Sequence, residues 1–307
     1  MSLGDLQFGI RRRVIIDTDA KNEADDQYAI VHALLSPSLD IRGLVAAHFG
    51  FRRGFASMQE SRAEIDLVLS LMDINEGVRV ENGAATPLYD SGTPVDSPGA
   101  QLIIEEALRD EAGPLFVAFL GPLTDMATAL LLAPEIVERD VTVVWIGGGP
   151  YEGFGADRPG RPEFNLGNDI PAANLVFASG VKLWQIPSSS YRLMGVSYAE
   201  LYKEVYGCGR IGKYLVDQLV EFNEAHPHEG YHQEYRSLGD SPAVGLILNP
   251  QCGWWSERPA WQFRTDGSYD RSREFRPIRV YNYVDPRFIL GDFFAKLQGA
   301  WPPDGRR

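Results

Sequence analysis

Short apolar blocks alternate with amphipathic stretches along roughly the first 190 residues of the chain. The apolar blocks predict six strands, at 13–19, 41–49, 78–83, 115–121, 141–148 and 181–187. Between them, the spacing of apolar residues predicts helices at 24–35, 55–72, 98–110, 122–133 and 169–179. Several strands are apolar on both faces, as central parallel strands covered by helices are. The pattern therefore predicts an α/β fold with an open, mostly parallel (mixed) sheet flanked by helices.

The pattern changes after Pro187. Two helices are expected at 197–207 and 212–226, and a polar stretch with aromatic and histidine residues follows them. A further helix is expected at 241–250, and the segment 276–297 reads as one strand and a closing helix. No internal repeat and no long linker interrupts the chain, so we expect a single domain over residues 1–307.

Composition narrows the class of protein. With 44% hydrophobic and 23% charged residues the sequence is typical of a globular protein, and its apolar runs are too short to span a bilayer. A formal net charge of −13 argues against nucleic acid as a partner. The two cysteines, Cys208 and Cys252, and a start without the apolar run of a secretory signal favour a cytoplasmic protein.

Five acidic residues crowd the turn between the first predicted strand and helix, in "VIIDTDAKNEADDQYAI" (14–30). They are Asp17, Asp19, Glu23, Asp25 and Asp26. Ligand sites of open α/β sheets lie at the carboxyl ends of the strands, and a divalent cation would relieve the repulsion between such acids. The alternative is that Glu23 and Asp25 cap the helix. Capping does not explain Asp17 and Asp19, so a metal or catalytic site is the better interpretation.

Three further segments are expected to meet this turn: "FLGPLTDMATAL" (119–130), "RPEFNLGNDIPAANLVF" (161–177) and "SLGDSPAVGLIL" (237–248). Each joins a strand end or polar loop to the start of a helix. Asp240 has the alternative of a simple N-cap before Pro242, and Asn165 and Asp169 have the alternative of turn and cap residues. The occurrence of all three segments together favours a functional site.

At these residues the chain resembles the inosine-uridine nucleoside hydrolase family, which hydrolyses the N-glycosidic bond of ribonucleosides. The family's Asp-Thr-Asp strand end and paired aspartates appear as "DTD" (17–19) and "DD" (25–26). Its later motifs appear in the family's order as "GPLTD" (121–125), "EFNLGNDIPAA" (163–173) and "DSPAV" (240–244). The resemblance extends over most of the chain and also implies a homodimer or homotetramer.

The resemblance implies a catalytic Ca²⁺ ion held by the carboxylates of Asp19, Asp26 and Asp240 and by the backbone carbonyl of Leu120. Asp19 would take a proton from a water bound to the ion, and the resulting nucleophile would attack the anomeric carbon of a riboside. Asp25 and Asn165 would bind ribose hydroxyls, and Glu163 would reach the 5′ side of the sugar.

Three departures from the family pattern affect the expected site. The segment "AKNEA" is two residues longer than usual, so Asn22 and Glu23 are expected to join the ribose site or the metal shell. His48 and Gly50 stand near the place where the family often has an asparagine. Gly239 stands where many members have a histidine that protonates a leaving purine.

Several residues are candidates for contacts with the leaving group. His228, His232, Tyr235 and Arg236 are candidate acids, with the alternative that each is a solvated loop residue. His48 either faces the ligand or is a hydrogen-bonded structural histidine. Trp254, Trp255 and Trp261 either stack on a base or belong to the core.

Two other functions fit parts of the pattern. One is an aspartyl-phosphate phosphotransferase with Asp17 as nucleophile and Asp19 as acid and base, although it leaves "EFNLGND" unexplained. The other is a Ca²⁺-dependent sugar- or nucleoside-binding protein that has lost efficient catalysis, which Gly239 motivates. Because the water-activating acids are present, a hydrolase is the preferred hypothesis.

Overall fold

The structure, a computed structural model, describes residues 11–51, 54–110, 113–153, 162–226 and 234–303. The strands in these ranges are β1 (Arg12–Thr18), β2 (Leu39–Ala46), β3 (Val80–Asn82), β4 (Leu115–Phe119), β5 (Val141–Ile146), β6 (Lys182–Ile186), β7 (Gly195–Ser197), β8 (Tyr235–Ser237), β9 (Gly253–Phe263) and β10 (Tyr269–Val284). The α-helices are α1 (Asp26–Leu34), α2 (Ser57–Leu71), α3 (Pro98–Leu108), α4 (Thr124–Leu132), α5 (Phe164–Asn168), α6 (Ile170–Ala178), α7 (Ser188–Tyr191), α8 (Tyr198–Glu204), α9 (Gly209–Ala225), α10 (Ser241–Leu248) and α11 (Pro286–Ala300). A 3₁₀ turn covers Pro134–Glu138.

Eight strands form one sheet in the order β3-β2-β1-β4-β5-β6-β10-β9. Every neighbouring pair in it is parallel except β9, which runs antiparallel to β10 at the edge. β7 and β8 form a separate antiparallel ribbon. The predicted fold class, a mostly parallel mixed sheet flanked by helices, is confirmed.

The central strands are buried because their side chains alternate between two apolar cores. In β1, Val14 and Ile16 join the core that includes α1, α2, α9, α10 and α11, and Ile15 joins the core formed with α3, α4 and α6. β5 follows the same alternation, with Val144 facing the first core and Trp145 the second. This double coverage explains why these strands read as continuous apolar runs in the sequence.

The parallel arrangement brings the carboxyl ends of β1, β4 and β5 to one edge of the sheet, side by side. Asp19 follows β1, Leu120 follows β4, and Ile146 ends β5. The acidic turn therefore lies beside the other two strand ends, as expected for a ligand site in an open α/β sheet.

The elements that the sequence did not predict are one edge strand and several short segments. Strand β9 has one edge unpaired and several exposed side chains, among them Trp254 and Trp255, so it lacks the apolar run of a buried strand. The three-residue strands β7 and β8 and the short helices α5 and α7 are too brief to give a periodic pattern.

Across the part of the chain that the structure describes, no helix is both long enough and apolar enough to cross a membrane.

Candidate active site

The turn between β1 and α1 is held by a hydrogen bond of its own backbone and by side chains of two helices. Asn22 N–H donates to the carbonyl oxygen of Asp19 at 2.8 Å, which closes the first part of the turn. The amide of Gln27 in α1 donates to the carbonyl of Ala20 at 2.6 Å, and the amide of Gln218 in α9 donates to that of Ala24 at 2.9 Å. These hydrogen bonds satisfy the Asn22 N–H and the carbonyl groups of Ala20 and Ala24 in the longer "AKNEA" loop.

Asp25 and Asp240 occupy the N-cap positions of α1 and α10, yet neither side chain makes a capping hydrogen bond. Their carboxylates instead approach that of Asp26. One oxygen from each of the three lies within 4.8 Å of the others, the one such acidic group found among the described residues. The positive ends of two helices face this group and favour its negative charge. Simple capping therefore does not account for Asp25 or Asp240.

Asp19 belongs to the same acidic cluster, although it is not one of the three mutually close carboxylates. Its side chain is buried, and its Oδ2 accepts no hydrogen bond from the described residues. Gly121 makes this placement possible, because a Cβ atom there would lie 3.0 Å from Asp19 Cγ. Asp26 is fixed by Thr18, whose hydroxyl donates to its Oδ1 at 2.5 Å. A buried carboxylate oxygen without a donor is a natural ligand for a cation or a water.

Burial and mutual repulsion raise the pKa values of the whole acidic cluster. Burial, with the charge of Glu23 as the next cause, raises the pKa of Asp25 to about 8. Burial also raises the pKa of Asp26 to about 6, although hydrogen bonds from Thr18 and Asp240 partly offset the effect. The pKa values of Asp19 and Asp240 lie well above the usual range, again mainly through burial and then through neighbouring aspartates. A divalent cation would offset these shifts, because its positive charge stabilises the charged form of each carboxylate.

A cavity of about 60 Å³ opens onto the acidic cluster. Its volume suits an ion with water and is below the roughly 300 Å³ of typical ligand pockets. The residues that line it are Asp19, Asn22, Glu23, Asp25, Asp26, Leu120, Ile146, Glu163, Phe164, Asn165, Tyr191, Gly239 and Asp240. All the site residues predicted from the sequence are in this set except His48.

Asn165 ties the ends of β4 and β5 to the cavity. Its Nδ2 donates to the carbonyl oxygens of Leu120 at 2.5 Å and of Ile146 at 2.9 Å, which leaves its Oδ1 as the group available to a ligand hydroxyl. A carbonyl oxygen has two lone pairs, so Leu120 retains the capacity to bind a cation. Asn165 therefore has a supporting role in the site as well as a candidate binding role.

Glu163 caps helix α5. Its carboxylate accepts backbone N–H groups from Gly148 at 2.8 Å, Leu166 at 3.1 Å and Asn165 at 3.3 Å, and the Tyr191 hydroxyl at 3.0 Å. These four donors hold the carboxylate at the cavity wall. Both carboxylate oxygens of Glu163 are thus engaged in hydrogen bonds, and Tyr191 lies beside Glu163 in the lining of the cavity.

Glu23, in the extended loop, forms an ion pair with Arg236 of β8. The Arg236 side chain is 2% exposed, donates to Asn223 Oδ1 at 3.2 Å, and lies over the Phe222 ring at 4.9 Å. Glu23 lines the cavity and Arg236 does not. Arg236 therefore lies behind the acidic wall and supports it, whereas a leaving-group acid would face the cavity.

His48 has a structural position away from the cavity. It is 1% exposed, its Nδ1 accepts the N–H of Gly50 at 3.1 Å, and its Nε2 donates to the Thr124 hydroxyl at 2.8 Å. That hydroxyl donates to Asp169 Oδ2 at 2.7 Å. Burial lowers the pKa of His48 to about 4, so the ring is neutral. The structure therefore favours a hydrogen-bonded structural role for His48. Asp169 is the N-cap residue of α6, which was the alternative to a functional role for it.

Asp17 is fully buried beside Asp125 and does not line the cavity. Burial, followed by the charge of Asp125, raises its pKa well above the usual range. A phosphotransferase would need this carboxylate charged and exposed to its substrate. The position of Asp17 therefore argues against that function.

None of the remaining candidates that the structure describes lines the acidic cavity. His228 and His232 lie outside the described residues. Tyr235 is 44% exposed on β8, and Trp254 and Trp255 are 75% and 44% exposed on the β9–β10 hairpin, so the expectation of a core position is wrong for both tryptophans. Trp261 packs, partly buried, against the core that contains α3, α4 and α6.

Three cavity residues, Ile146, Phe164 and Tyr191, were not predicted from the sequence as site residues. Phe164 lies inside the quoted "EFN" motif, and Tyr191 follows the carboxyl end of β6 by a few residues. The position of α7 after a parallel strand was the available signal, since such segments line the ligand edge.

Comparisons with known proteins agree on one family. A model described as inosine-uridine preferring nucleoside hydrolase matches residues 14–275. The pyrimidine-specific ribonucleoside hydrolase RihA of Escherichia coli O9:H4 (strain HS) is 28% identical over 283 residues, which are 83% of this chain and 85% of that protein. The probable uridine nucleosidase 2 of Arabidopsis thaliana is 26% identical over 240 residues, 72% of this chain and 73% of that protein.

Solved structures give the same fold. The purine-preferring ribonucleoside hydrolase from Gardnerella vaginalis has a TM-score of 0.75 at 22% identity, covering 94% of this chain and 99% of that one. The plant nucleoside hydrolase PpNRh1 has a TM-score of 0.73 at 19% identity, covering 93% and 98%.

Proposed function

The chain belongs to the inosine-uridine preferring nucleoside hydrolase family, and on that premise we propose that it hydrolyses the N-glycosidic bond of a ribonucleoside or related riboside with one Ca²⁺ ion. The observation that carries the proposal is the convergence of Asp25, Asp26 and Asp240 with Asp19 at one small cavity. Buried acids that repel one another destabilise a fold unless a bound ligand compensates their charge, so such clusters indicate a functional site.

The donor set of the cavity fits a hard divalent cation. The described residues that line it offer carboxylate, carboxamide and carbonyl oxygens and contain neither histidine nor cysteine. Oxygen ligands of this kind select Ca²⁺ or Mg²⁺ over zinc, and Ca²⁺ accepts the larger, less regular set. Asp19, Asp26, Asp240 and the Leu120 carbonyl would hold the ion, and it would supply positive charge that lowers the pKa of a nearby water.

Asp19 is the proposed general base. Its Oδ2 is buried without a hydrogen-bond donor, so a water placed there would donate its proton to this atom. The charges of Asp26 and Glu23 raise the pKa of Asp19 after burial, which makes it a stronger base than an exposed aspartate. Helix α1 begins beside it and holds Asp25 and Asp26 in fixed positions around the reaction centre.

The other carboxylates would stabilise the positive charge that develops on the sugar as the glycosidic bond breaks. Asp25 and the Oδ1 of Asn165 would accept hydrogen bonds from ribose hydroxyls, and Glu163 and Asn22 would contact the rest of the sugar. Glu23, which forms an ion pair with Arg236, would add a further carboxylate to the lining of the cavity. The positions of these side chains at one edge of the sheet support the assignment.

A substrate panel tests the proposal. Release of free ribose would be measured from a purine riboside, a pyrimidine riboside and p-nitrophenyl riboside, with Ca²⁺ and with a chelator. We expect turnover of at least one substrate with Ca²⁺ and its loss with the chelator. Phosphate release from ribose 5-phosphate under the same conditions, without ribose release from any riboside, would overturn the proposal in favour of a phosphotransferase.

The second candidate function is a Ca²⁺-dependent binding protein for sugars or nucleosides. Gly239 favours it, because no side chain at that position can assist a leaving group. If ribose with Ca²⁺ raises the melting temperature while no riboside of the panel is turned over, this second function replaces the first.

A further inference from the structure

The space beside Gly239 is already filled. A Cβ atom at position 239 would lie 3.0 Å from Tyr191 Cδ2 and 3.3 Å from Asp25 Oδ2. Both distances are shorter than those of ordinary van der Waals contact, so even an alanine would press on its neighbours. The glycine therefore permits the ring of Tyr191 to lie directly against the backbone that precedes Asp240.

Tyr191 is fixed in this position from several sides. Its N–H donates to the carbonyl of Pro187 at 3.1 Å, and its own carbonyl accepts the N–H of Met194 at 3.1 Å and the Ser237 hydroxyl at 3.3 Å. Ser237 ends β8, two residues before Gly239. Through Ser237, the β7–β8 ribbon therefore holds the backbone of Tyr191 close to the segment that contains Gly239. The Tyr191 ring occupies the space that a side chain at position 239 would need.

The phenol is a neutral donor and acceptor among acids. Tyr191 donates its hydroxyl hydrogen to Glu163 Oε1 at 3.0 Å. Burial, with the charge of Glu163 as the next cause, raises the pKa of Tyr191 well above its usual range, so the hydroxyl remains protonated. Tyr191 lines the cavity, and its hydroxyl oxygen can still accept a hydrogen bond while its hydrogen is donated to Glu163.

We propose that Tyr191 is a substrate-contacting, specificity-determining residue of this site. Its ring replaces a side chain at position 239 as the wall of the cavity, and its hydroxyl accepts a hydrogen bond from a sugar hydroxyl that also reaches Glu163. The ligand class is a neutral polyhydroxy sugar or riboside, because Glu163 and the acidic cluster repel an anion at this wall. The inference rests on the proposed function for its place in the reaction.

Binding of free ribose in the presence of Ca²⁺, measured by calorimetry, tests the hydroxyl without requiring turnover. The change Tyr191→Phe keeps the ring and removes the oxygen. Loss of one hydrogen bond predicts a dissociation constant for ribose that is roughly twofold to tenfold higher. Tyr89→Phe, at a side chain that is 89% exposed, is the matched control and should bind ribose as the unchanged protein does.

The ring is tested by a double-mutant cycle. Gly239→Ala should weaken ribose binding in the unchanged protein and weaken it less in a Tyr191→Ala background, because the Cβ atom then has room on one side. If the protein hydrolyses a riboside, Tyr191→Phe should raise KM by the same factor and leave kcat nearly unchanged.

Two results would overturn the inference: ribose binding by Tyr191→Phe equal to that of the unchanged protein, or equal effects of Gly239→Ala in both backgrounds. Failure of the proposed function gives a different pattern, in which no riboside is hydrolysed although the ribose-binding measurements still report on Tyr191.

Discussion

Asp19, Asp25, Asp26 and Asp240 are each buried where a charged carboxylate is less stable than in water. Their pKa values are raised because burial removes hydration and because their neighbours carry the same charge. A bound cation would offset this destabilisation, because it would compensate the negative charges. Replacing any one acid by a neutral isostere should therefore affect stability and function in opposite directions.

Asp19→Asn is the first residue-scale prediction. The amide has nearly the same shape but cannot accept the proton of the attacking water, so kcat for riboside hydrolysis should fall roughly 10²- to 10⁴-fold. Because the change removes one of several repelling charges, the metal-free variant should unfold at the same or a higher temperature than the metal-free unchanged protein. Steady-state kinetics and thermal unfolding would measure the two effects.

The matched control is Asp110→Asn, at a side chain that is 91% exposed, which should alter neither quantity. Near-normal turnover in Asp19→Asn would rule out Asp19 as the base, and a large fall in the melting temperature would mean that its role is structural.

Asp25 and Asp26 are adjacent but are assigned different roles, and their amide variants should separate them. Asp26→Asn removes a proposed Ca²⁺ ligand. Mutation of residues that only support metal ligands lowers metal affinity about tenfold to a hundredfold, so we expect a loss of Ca²⁺ affinity at least that large. Asp25→Asn should chiefly raise KM for ribosides, because it removes an acceptor for a ribose hydroxyl. Calcium titration calorimetry together with kinetics would test this. An equal or larger loss of Ca²⁺ affinity in Asp25→Asn would make Asp25 a ligand.

At the scale of elements, the extended loop between β1 and α1 is anchored to the ribbon β7–β8. Glu23 is the contact, through its ion pair with the buried Arg236. The sequence indicated that residues 20–24 would contribute to the site, and it named Arg236 as a candidate acid. It gave no sign that Glu23 and Arg236 pair across 213 residues, because ion pairs between distant segments leave no local pattern.

Arg236→Gln should therefore destabilise the fold. The change removes the guanidinium that compensates the charge of Glu23, which then stands beside four other carboxylates. Because Glu23 is 25% exposed, we expect the free energy of unfolding to fall by about 1–3 kcal/mol, less than for a fully buried ion pair. Adding Glu23→Gln should recover part of the loss, because the uncompensated charge disappears. Denaturant unfolding of both single variants and the double variant would measure the coupling. Additive effects of the two changes would contradict a direct pair.

A second link between elements runs from His48 after β2 through Thr124 of α4 to Asp169 before α6. The folded pKa of His48, about 4, lies below the ordinary value of 6.5, so the folded state favours the neutral ring. Its contribution to stability is present above pH 6.5 and is lost as the pH falls towards 4, in total about 3 kcal/mol. His48→Gln should flatten the decline of unfolding free energy between pH 6.5 and 4. An unchanged slope would show that His48 does not titrate there.

The sequence predicted the parallel strands well because burial on both faces makes them continuous apolar runs. It predicted the acidic turn for a related reason, since polar residues directly after such a run stand out. Tyr191 was missed because its position after a parallel strand is the one local signal, and β9 was missed because it lacks a buried apolar run. The role of Tyr191 depends on a glycine 48 residues later, and β9 pairs on one side only and exposes Trp254.

At the scale of the whole molecule, the sheet gathers residues from distant parts of the chain at one edge. Asp19, Leu120, Glu163, Tyr191 and Asp240 come from five separate segments and line one cavity. That residues 1–307 form a single domain, and that the protein assembles as a homodimer or homotetramer, stay predictions; sedimentation velocity would test the assembly.

The central claim is that one divalent cation, held by this edge of the sheet, is required for riboside hydrolysis. The most direct measurement is ribose release as Ca²⁺ is added stepwise to metal-free protein. The protein concentration is fixed far above the dissociation constant for Ca²⁺. We expect almost no ribose release without metal, a linear rise as Ca²⁺ is added, and a plateau at one Ca²⁺ per chain. Full ribose release in the presence of excess chelator would contradict this expectation.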